Sequence, residues 1–238
     1  MPSLKDSRLA FENRLLAALP ADEYRRLLPH LEPVRLPQNK ILYSAGEAVR
    51  HAYFLRGGLV SLLSVTADGR AVEVGMIGNE GLVGLPVVLR TNTSPYQSVV
   101  QLPANAMRIS GHVLRAEFDR GGRLHDLLLR YLHTLLYQLS QSATCNRFHT
   151  MEERLCRWLL IGRDHSQTAT LRLTQEFLSQ MIGAPRTRVT LVAVRLQEVG
   201  LISYSRGQVV IRDRLGLEAL SCECYGVVRE QIGQFIAA

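Results

Sequence analysis

The chain has 238 residues, 47% of them hydrophobic and 21% charged, which supplies apolar surface for one large or two smaller cores and excludes a disordered polypeptide. Lys and Arg number 28 against 21 Asp and Glu, a formal charge of +7 with a pI of about 9.6. That balance suits a polyanionic partner without specifying one, because many ordinary proteins are as basic. Its distribution says more: the window 172–214 holds Arg172, Arg186, Arg188, Arg195, Arg206, Arg212 and Arg214 against Glu176, Glu198 and Asp213. A phosphate-facing surface is expected there.

Residues 8–31 read as short helices, since Leu15, Leu16 and Leu19, then Leu27, Leu28 and Leu31, recur at helical spacing. From about residue 33 the texture becomes β-rich. The runs ILYSAGE, AYFLRGG, LVSLLSV, AVEVGMI, YQSVVQL and AMRIS are separated by Gly46, Gly57-Gly58, Asp68-Gly69 and Gly78-Asn79. LVSLLSVTADGRAVEVGMI, turning at Asp68-Gly69, reads as a β-hairpin, and strands at this spacing predict a small sandwich or barrel.

After Gly121-Gly122, residues 123–150 contain no Pro or Gly and read as one long helix. Leu128, Leu132, Leu135, Leu139 and Ser142 fall at intervals of 4, 3, 4 and 3, the seam of a coiled coil, and Asn146 continues it. The same stripe also suits packing onto the helix's own domain, with Leu124, Leu127, Tyr131 and Leu136 beside it. A second amphipathic helix is predicted over 151–162, with Leu155, Trp158 and Leu159 inward and Gly162 at its end. A polar connector, 165–169, follows.

Thr174 is a suitable N-cap for a helix over 175–182, with Leu178, Met181 and Ile182 on one side and Gly183 at its end. A second helix runs from near Pro185 to Val199 before Gly200, burying Val189, Val192, Leu196 and Val199 and showing Arg186, Thr187, Thr190 and Val194 opposite. Arg188, Leu191 and Arg195 stand beside that face. Two helices joined by a tight Gly-containing turn form the helix-turn-helix pattern, whose second helix enters the major groove. Arg binds guanine edges or phosphate, Thr bonds base edges, and an aliphatic touches a thymine methyl. Leu201 to Ile211, turning at Arg206-Gly207, reads as a wing with Arg206 near its tip.

Over nearly its whole length the chain resembles the CRP/FNR family of bacterial transcription regulators. A β-roll over 33–110, a long helix over 123–150 and a winged helix-turn-helix over 150–220 come in the family's order. LTQEFLSQMIGAPRTRVTLVAVRLQEVGLISYSRG is similar to the family's LTxxxLAxxxGxxRxTVxxxLxxLxxxGLI signature, with Arg186 at the position of a DNA-contacting Arg. Thr187 stands where a base-reading Glu is common, and Leu191 where the cyclic-AMP receptor has Arg, so the docking mode carries over and the target sequence does not. The resemblance implies an α+β fold: a cupin-like, cyclic-nucleotide-binding-like sensor roll within 1–121, a dimerisation helix over 122–149, and a DNA-binding domain over 150–238.

The DNA-contacting set implied is Thr174, Gln175, Arg186, Thr187, Arg188, Thr190, Leu191 and Arg206, and the dimer set is Leu128, Leu132, Leu135 and Leu139. The implied partners are double-stranded DNA with a palindromic operator, a second copy of the chain, RNA polymerase, and an unidentified small-molecule effector. The effector position falls at Gly84, Leu85, Gln97 and Ser98. Cyclic-nucleotide binders of the family have a Gly-Glu pair and then Arg-Ser-Ala there; here Leu85 replaces the Glu and Gln97-Ser98-Val99 replaces Arg-Ser-Ala. Losing the Arg removes a charge-assisted contact to the phosphate and argues against cyclic AMP, with Arg90 the nearby cation left to substitute. No Cys precedes Cys145, which argues against the family's N-terminal iron–sulfur cluster, and Pro2, His51 and His112 are weak support for haem.

Other functions fit less well. A cupin-type enzyme needs a His-x-His pair, and neither that nor Gly-x-Ser-x-Gly or HExxH occurs, so no enzyme is expected. An effector-binding or protein-interaction module that ignores DNA would show no salt-dependent duplex binding. The cysteines, at 145, 156, 222 and 224, include no C-x-x-C pair, and Cys222-Glu223-Cys224 is too tight for a zinc knuckle without a second ligand pair nearby; no metal is expected. Leu127–Tyr137, the longest apolar stretch, is far short of the roughly 20 residues of a membrane span, and residues 1–13 lack a signal peptide's apolar run. A cytoplasmic protein is expected, with no membrane partner.

Overall fold

A computed structural model describes residues 13–91, 93–166, 168 and 170–237. The helical beginning consists of α1 (Arg14–Ala17) and α2 (Ala21–Leu27), with a 3-10 turn over Leu28–His30; the part of the predicted 8–31 stretch before residue 13 lies outside the described residues. Eight strands follow: β1 (Glu32–Leu36), β2 (Ile41–Tyr43), β3 (His51–Leu55), β4 (Leu59–Val65), β5 (Ala71–Ile77), β6 (Leu82–Val83), β7 (Gln97–Leu102) and β8 (Ala104–Ser110). They form two four-stranded sheets, ordered β1-β8-β3-β6 and β2-β7-β4-β5, with antiparallel pairing. This is the predicted roll, and β4 and β5 are the predicted hairpin around Asp68-Gly69, closed by the Thr66 amide donating to the Arg70 carbonyl at 2.9 Å.

After α3 (Gly111–Asp119), Gly121 and Gly122 adopt positive φ (79° and 86°) and redirect the chain into the long helix α4 (Arg123–Phe148). Buried Glu23 accepts from the Arg123 and Leu124 amides, 2.8 Å each, so a carboxylate satisfies the free N–H groups where the helix dipole is positive. The chain breaks at His149, and Thr150 starts α5 (Met151–His165) with a capping box to Glu153. Helix α5 continues past Gly162, where the sequence predicts its end. There the residue is small because of packing: a Cβ would come within 3.2 Å of the Trp158 ring.

The C-terminal half continues with β9 (Thr170–Arg172), α6 (Gln175–Ile182), α7 (Arg186–Glu198), β10 (Ile202–Ser205), β11 (Gln208–Ile211), α8 (Arg214–Leu220) and α9 (Cys224–Ala237). The wing is a three-stranded sheet, β10-β11-β9, one strand more than the predicted hairpin.

The near-continuous apolar run of β4 has a tertiary cause. Val60 and Leu62 point into the roll, where they join Ile77 and Val100; Leu59 and Leu63, on the other face, pack with Met76, Trp158, Leu178 and Leu196. Alternation of side chains along a strand thus divides β4 between two cores, and the β4–β5 wall is shared by the roll and the C-terminal half. No helix among the described residues is long and apolar enough to cross a membrane.

Candidate DNA interface and effector cavity

Helix α6 begins at Thr174, whose hydroxyl accepts from the Phe177 amide at 3.1 Å, and ends at Gly183 in the left-handed region (φ 64°). The Ala184 amide closes the turn on the Ser179 carbonyl at 3.1 Å, a C-terminal cap open to a glycine at little cost. Helix α7 then buries Val189, Ala193 and Leu196 against α5 and α6. Two expected positions differ: Val192 is only partly buried, and Val199 is exposed because the helix ends at Glu198 and Gly200 (φ 78°) turns the chain away. Ala193, spaced 4 and 3 from Val189 and Leu196, occupies the core instead.

The opposite face carries exposed Arg186, Thr187, Arg188, Val194 and Leu191, the last 69% exposed. Thr190 is half-buried and its hydroxyl donates to the Arg186 carbonyl at 2.9 Å. Beside the start of α7, a groove of about 420 Å³ is lined by Thr174, Gln175, Arg186, Tyr204 and the wing turn Ser205-Arg206-Gly207. Gln175 accepts from Arg186 Nε at 3.4 Å and aims that guanidinium along the groove. Arg206 (φ 49°) and Gly207 (φ 71°) both have the positive φ of a tight hairpin turn, which projects Arg206 outward. Tyr204, which no sequence motif singles out, donates its hydroxyl to the Leu173 carbonyl at 3.1 Å and pins the wing to the start of α6. The fold thus assembles Thr174, Gln175, Arg186 and Arg206 on one groove, with Thr174 also capping α6.

The long helix presents a different stripe from the one expected. Leu128 and Leu135 are 1% and 9% exposed and belong to the roll's core, so a partner helix cannot reach them. Leu132 and Leu139 are half-buried against the same core. The roll covers one side of the seam, and the outward stripe is rotated by one residue, with Leu129 45% and Leu136 54% exposed.

Between the roll and α4 lies a cavity of about 550 Å³, walled by Leu62, Ile77, Leu82 and Leu85 of the roll and Leu132, Leu136 and Leu139 of the helix. Gly84 lines it with φ 116°, a conformation made for glycine, and a Cβ there would meet the Ala52 backbone at 2.9 Å. Of the four expected effector residues, Gly84 and Leu85 reach the cavity, and Gln97 and Ser98 do not. Ser98 is buried opposite Tyr43 in the β2–β7 ladder, and the larger Tyr43 faces the cavity; Gln97, one residue along the strand, points to the other face. No charged side chain among the described residues lines the cavity. Arg90 lies outside it, paired with Asp119 at 3.0 Å. Among the residues weighed for haem, Pro2 lies outside the described residues, His51 sits on β3 opposite Ser110, and His112 is exposed on α3.

The reading of Cys222 and Cys224 as lacking a second ligand pair is overturned. The break after α4 brings Cys145 and His149 to them, and the four ligand atoms lie within 4.8 Å of one another. Cys145 and Cys222 are 77 residues apart in the chain, beyond the reach of any spacing rule.

Two family descriptions match the chain: a cyclic nucleotide-binding domain over residues 33–120 and a Crp-like helix-turn-helix domain over 153–220, together about two thirds of its length. A global nitrogen regulator of a Nostoc species is 25% identical over 183 residues, covering 73% of this chain and 82% of that protein. The CRP-like protein Clp of Xanthomonas oryzae is 24% identical over 216 residues, covering 82% and 89%. In fold, the chain is similar to a putative transcriptional regulator of the crp/fnr family from Eubacterium rectale, with a TM-score of 0.69 at 15% identity over 87% of this chain and 96% of that one.

Proposed function

The chain belongs to the CRP/FNR family of transcription regulators, and on that premise we propose that two copies pair along α4 and present their α7 helices to the two halves of a palindromic operator. It is a DNA-binding transcription regulator. The observation that carries the proposal is the groove in which Arg186 of α7 and Arg206 of the wing tip share one solvent-open face. A two-fold pair would set the recognition helices about one DNA turn apart, roughly 34 Å. RNA polymerase as a further partner rests on the family resemblance alone.

The proposed effector is small and mostly apolar. A buried anionic phosphate would find no cation in the leucine-lined cavity, and desolvating it unpaired would cost several kcal/mol. Because Leu132, Leu136 and Leu139 belong to both the cavity wall and the side of α4 nearest the proposed partner, a ligand there biases the packing of the dimer helices. The β4–β5 wall then carries the shift to the helix-turn-helix, since Val72 touches the Gly183 turn and Gln101 of β7 bonds Met181 Sδ at 3.2 Å. This is a population shift between two arrangements of one dimer.

Titration of operator and random duplexes at several salt concentrations tests the reading. Affinity for both should fall steeply with salt, and Arg186→Ala should weaken operator binding by about 1–3 kcal/mol while leaving random duplexes less affected. Arg206→Ala should weaken every sequence alike and reduce the salt slope by about one for each phosphate it no longer neutralises. Duplex binding that is absent, or indifferent to salt, would leave the effector-binding module as the better reading.

A further inference from the structure

Cys145 and His149 occupy the last turn of α4 and its cap, and Cys222 and Cys224 flank Glu223 where α9 begins. All three thiols are buried and the imidazole is nearly so. Cys145 Sγ stands 3.6 Å from Cys222 Sγ, and His149 Nδ1 stands 3.4 Å from Cys224 Sγ. Around one tetrahedral zinc ion, bonds of about 2.3 Å to sulfur and 2.0–2.1 Å to nitrogen put ligand atoms about 3.6–3.8 Å apart. These two separations are close to those edges, and no pair of the four atoms is more than 4.8 Å apart. They are well beyond the ~2.05 Å of a disulfide, and a set confined within 4.8 Å surrounds a single ion rather than the several atoms of an iron–sulfur cluster.

The surroundings suit bound metal as well. His149 turns Nδ1 toward the sulfurs while its Nε2 faces Glu223 Oε1 at 3.2 Å, the carboxylate–imidazole contact that orients a metal-ligating histidine. Gln141 donates its amide N–H to Cys224 Sγ at 3.0 Å. Arg157 is buried, its Nε and one Nη lack hydrogen-bond partners, and its charge acts on the Cys145 sulfur. Three thiolates, a neutral imidazole and a divalent cation sum to one negative charge, which gives this buried guanidinium a counterpart.

We propose that Cys145, His149, Cys222 and Cys224 form a Cys3His site for one structural zinc ion per chain, which fastens the C-terminal helix to the end of the long helix at the break that leads into the DNA-binding half. Four protein ligands leave no open position, so the site is closed and its role is to hold α4, α9 and the His149–Thr150 break in one arrangement. Binding releases the thiol protons as the Zn–S bonds form, with no change of oxidation state. Regulation of DNA binding through this site would rest on the proposed function; the metal site itself does not.

Zinc content of the full-length protein, purified reduced and without chelator, tests the proposal directly. One zinc per chain is expected, and Cys222→Ser and His149→Ala should each become substoichiometric. Cys156→Ser, which removes the buried thiol outside the cluster, should keep its zinc. Glu223→Gln leaves the four ligands in place and should weaken zinc ~10- to 100-fold. Because Cys222→Ser can fail to fold, cobalt is also titrated into metal-free wild-type protein, where thiolate-to-cobalt absorption and intense tetrahedral d–d bands are expected. Wild type without zinc and without that cobalt spectrum would overturn the site. So would iron in place of zinc, or a Cys145–Cys222 disulfide trapped by alkylation in freshly lysed cells. None of these readouts uses DNA, so failure here leaves the regulator reading standing.

Discussion

Aspartates at both Leu129 and Leu136 should convert the protein to a monomer and abolish specific DNA binding while leaving the subunit folded. The two leucines are 45% and 54% exposed and lie seven residues apart on α4, two turns along one face. With half-buried Leu132 and Leu139 and exposed Ala143 they complete intervals of 3, 4, 3 and 4, the repeat of a two-helix seam. Burying each leucine contributes about 1.5–3 kcal/mol, and the pair occurs twice in a dimer. Replacing them removes that burial and sets carboxylates against carboxylates across the two-fold axis. A monomer engages one half-site at a time and forfeits an avidity of about 10²–10⁴. Sedimentation velocity and gel shifts read the two consequences separately. Leu128→Asp provides the contrast: at 1% exposure it would put a charge in the roll's core and unfold the subunit rather than separate it. A dimer that survives Leu129→Asp with Leu136→Asp would move the interface off α4.

The second large effect concerns Glu73 on β5, buried where the roll meets α5. Its carboxylate accepts from the Ser61 hydroxyl and, at 3.3 Å, from Trp158 Nε1. Burial raises its pKa from 4.5 to about 7, against the lowering influence of the Ser61 and Trp158 hydrogen bonds and of the Arg157 charge. Between pH 4.5 and 7 the folded protein therefore keeps a proton that the unfolded chain has lost. This contribution to stability is fully present below pH 4.5 and is lost as pH rises through 7. Glu73→Gln cannot titrate, so its stability relative to wild type should rise across that window by about 3 kcal/mol and then level off. Urea unfolding of both proteins at pH 5, 6, 7 and 8 checks this, and a difference flat in pH would show that Glu73 is ionised in the fold. Because Glu73 and Trp158 span the two halves, the same loss should loosen the DNA-binding half from the roll at alkaline pH.

Elements that depend on neighbours in the chain were legible. Thr174, Gly183 and Gly200 mark the ends of α6 and α7, Asp68-Gly69 and Arg206-Gly207 close hairpins, and Gly121-Gly122 precedes the long helix, because caps and turns are decided by local backbone geometry. The exposed side of α7 was legible for the same reason, whereas on its buried side Val192 and Val199 differ from the spacing. The stripe on α4 was not. Two leucine patterns one residue apart share Leu132 and Leu139, and periodicity cannot say which flank the roll covers.

What the amino-acid order determined by itself is the succession of a roll, a long helix and a winged helix-turn-helix, together with the chemistry of a DNA reader, since each follows from spacing within a few turns. Tertiary structure decided which leucines face outward, that Tyr43 rather than Ser98 faces the cavity, that β4 serves two cores, and that Cys145 and His149 meet Cys222 and Cys224. Those outcomes depend on surfaces brought together from distant parts of the chain, where burial and charge are properties of the assembled neighbourhood and of no single segment.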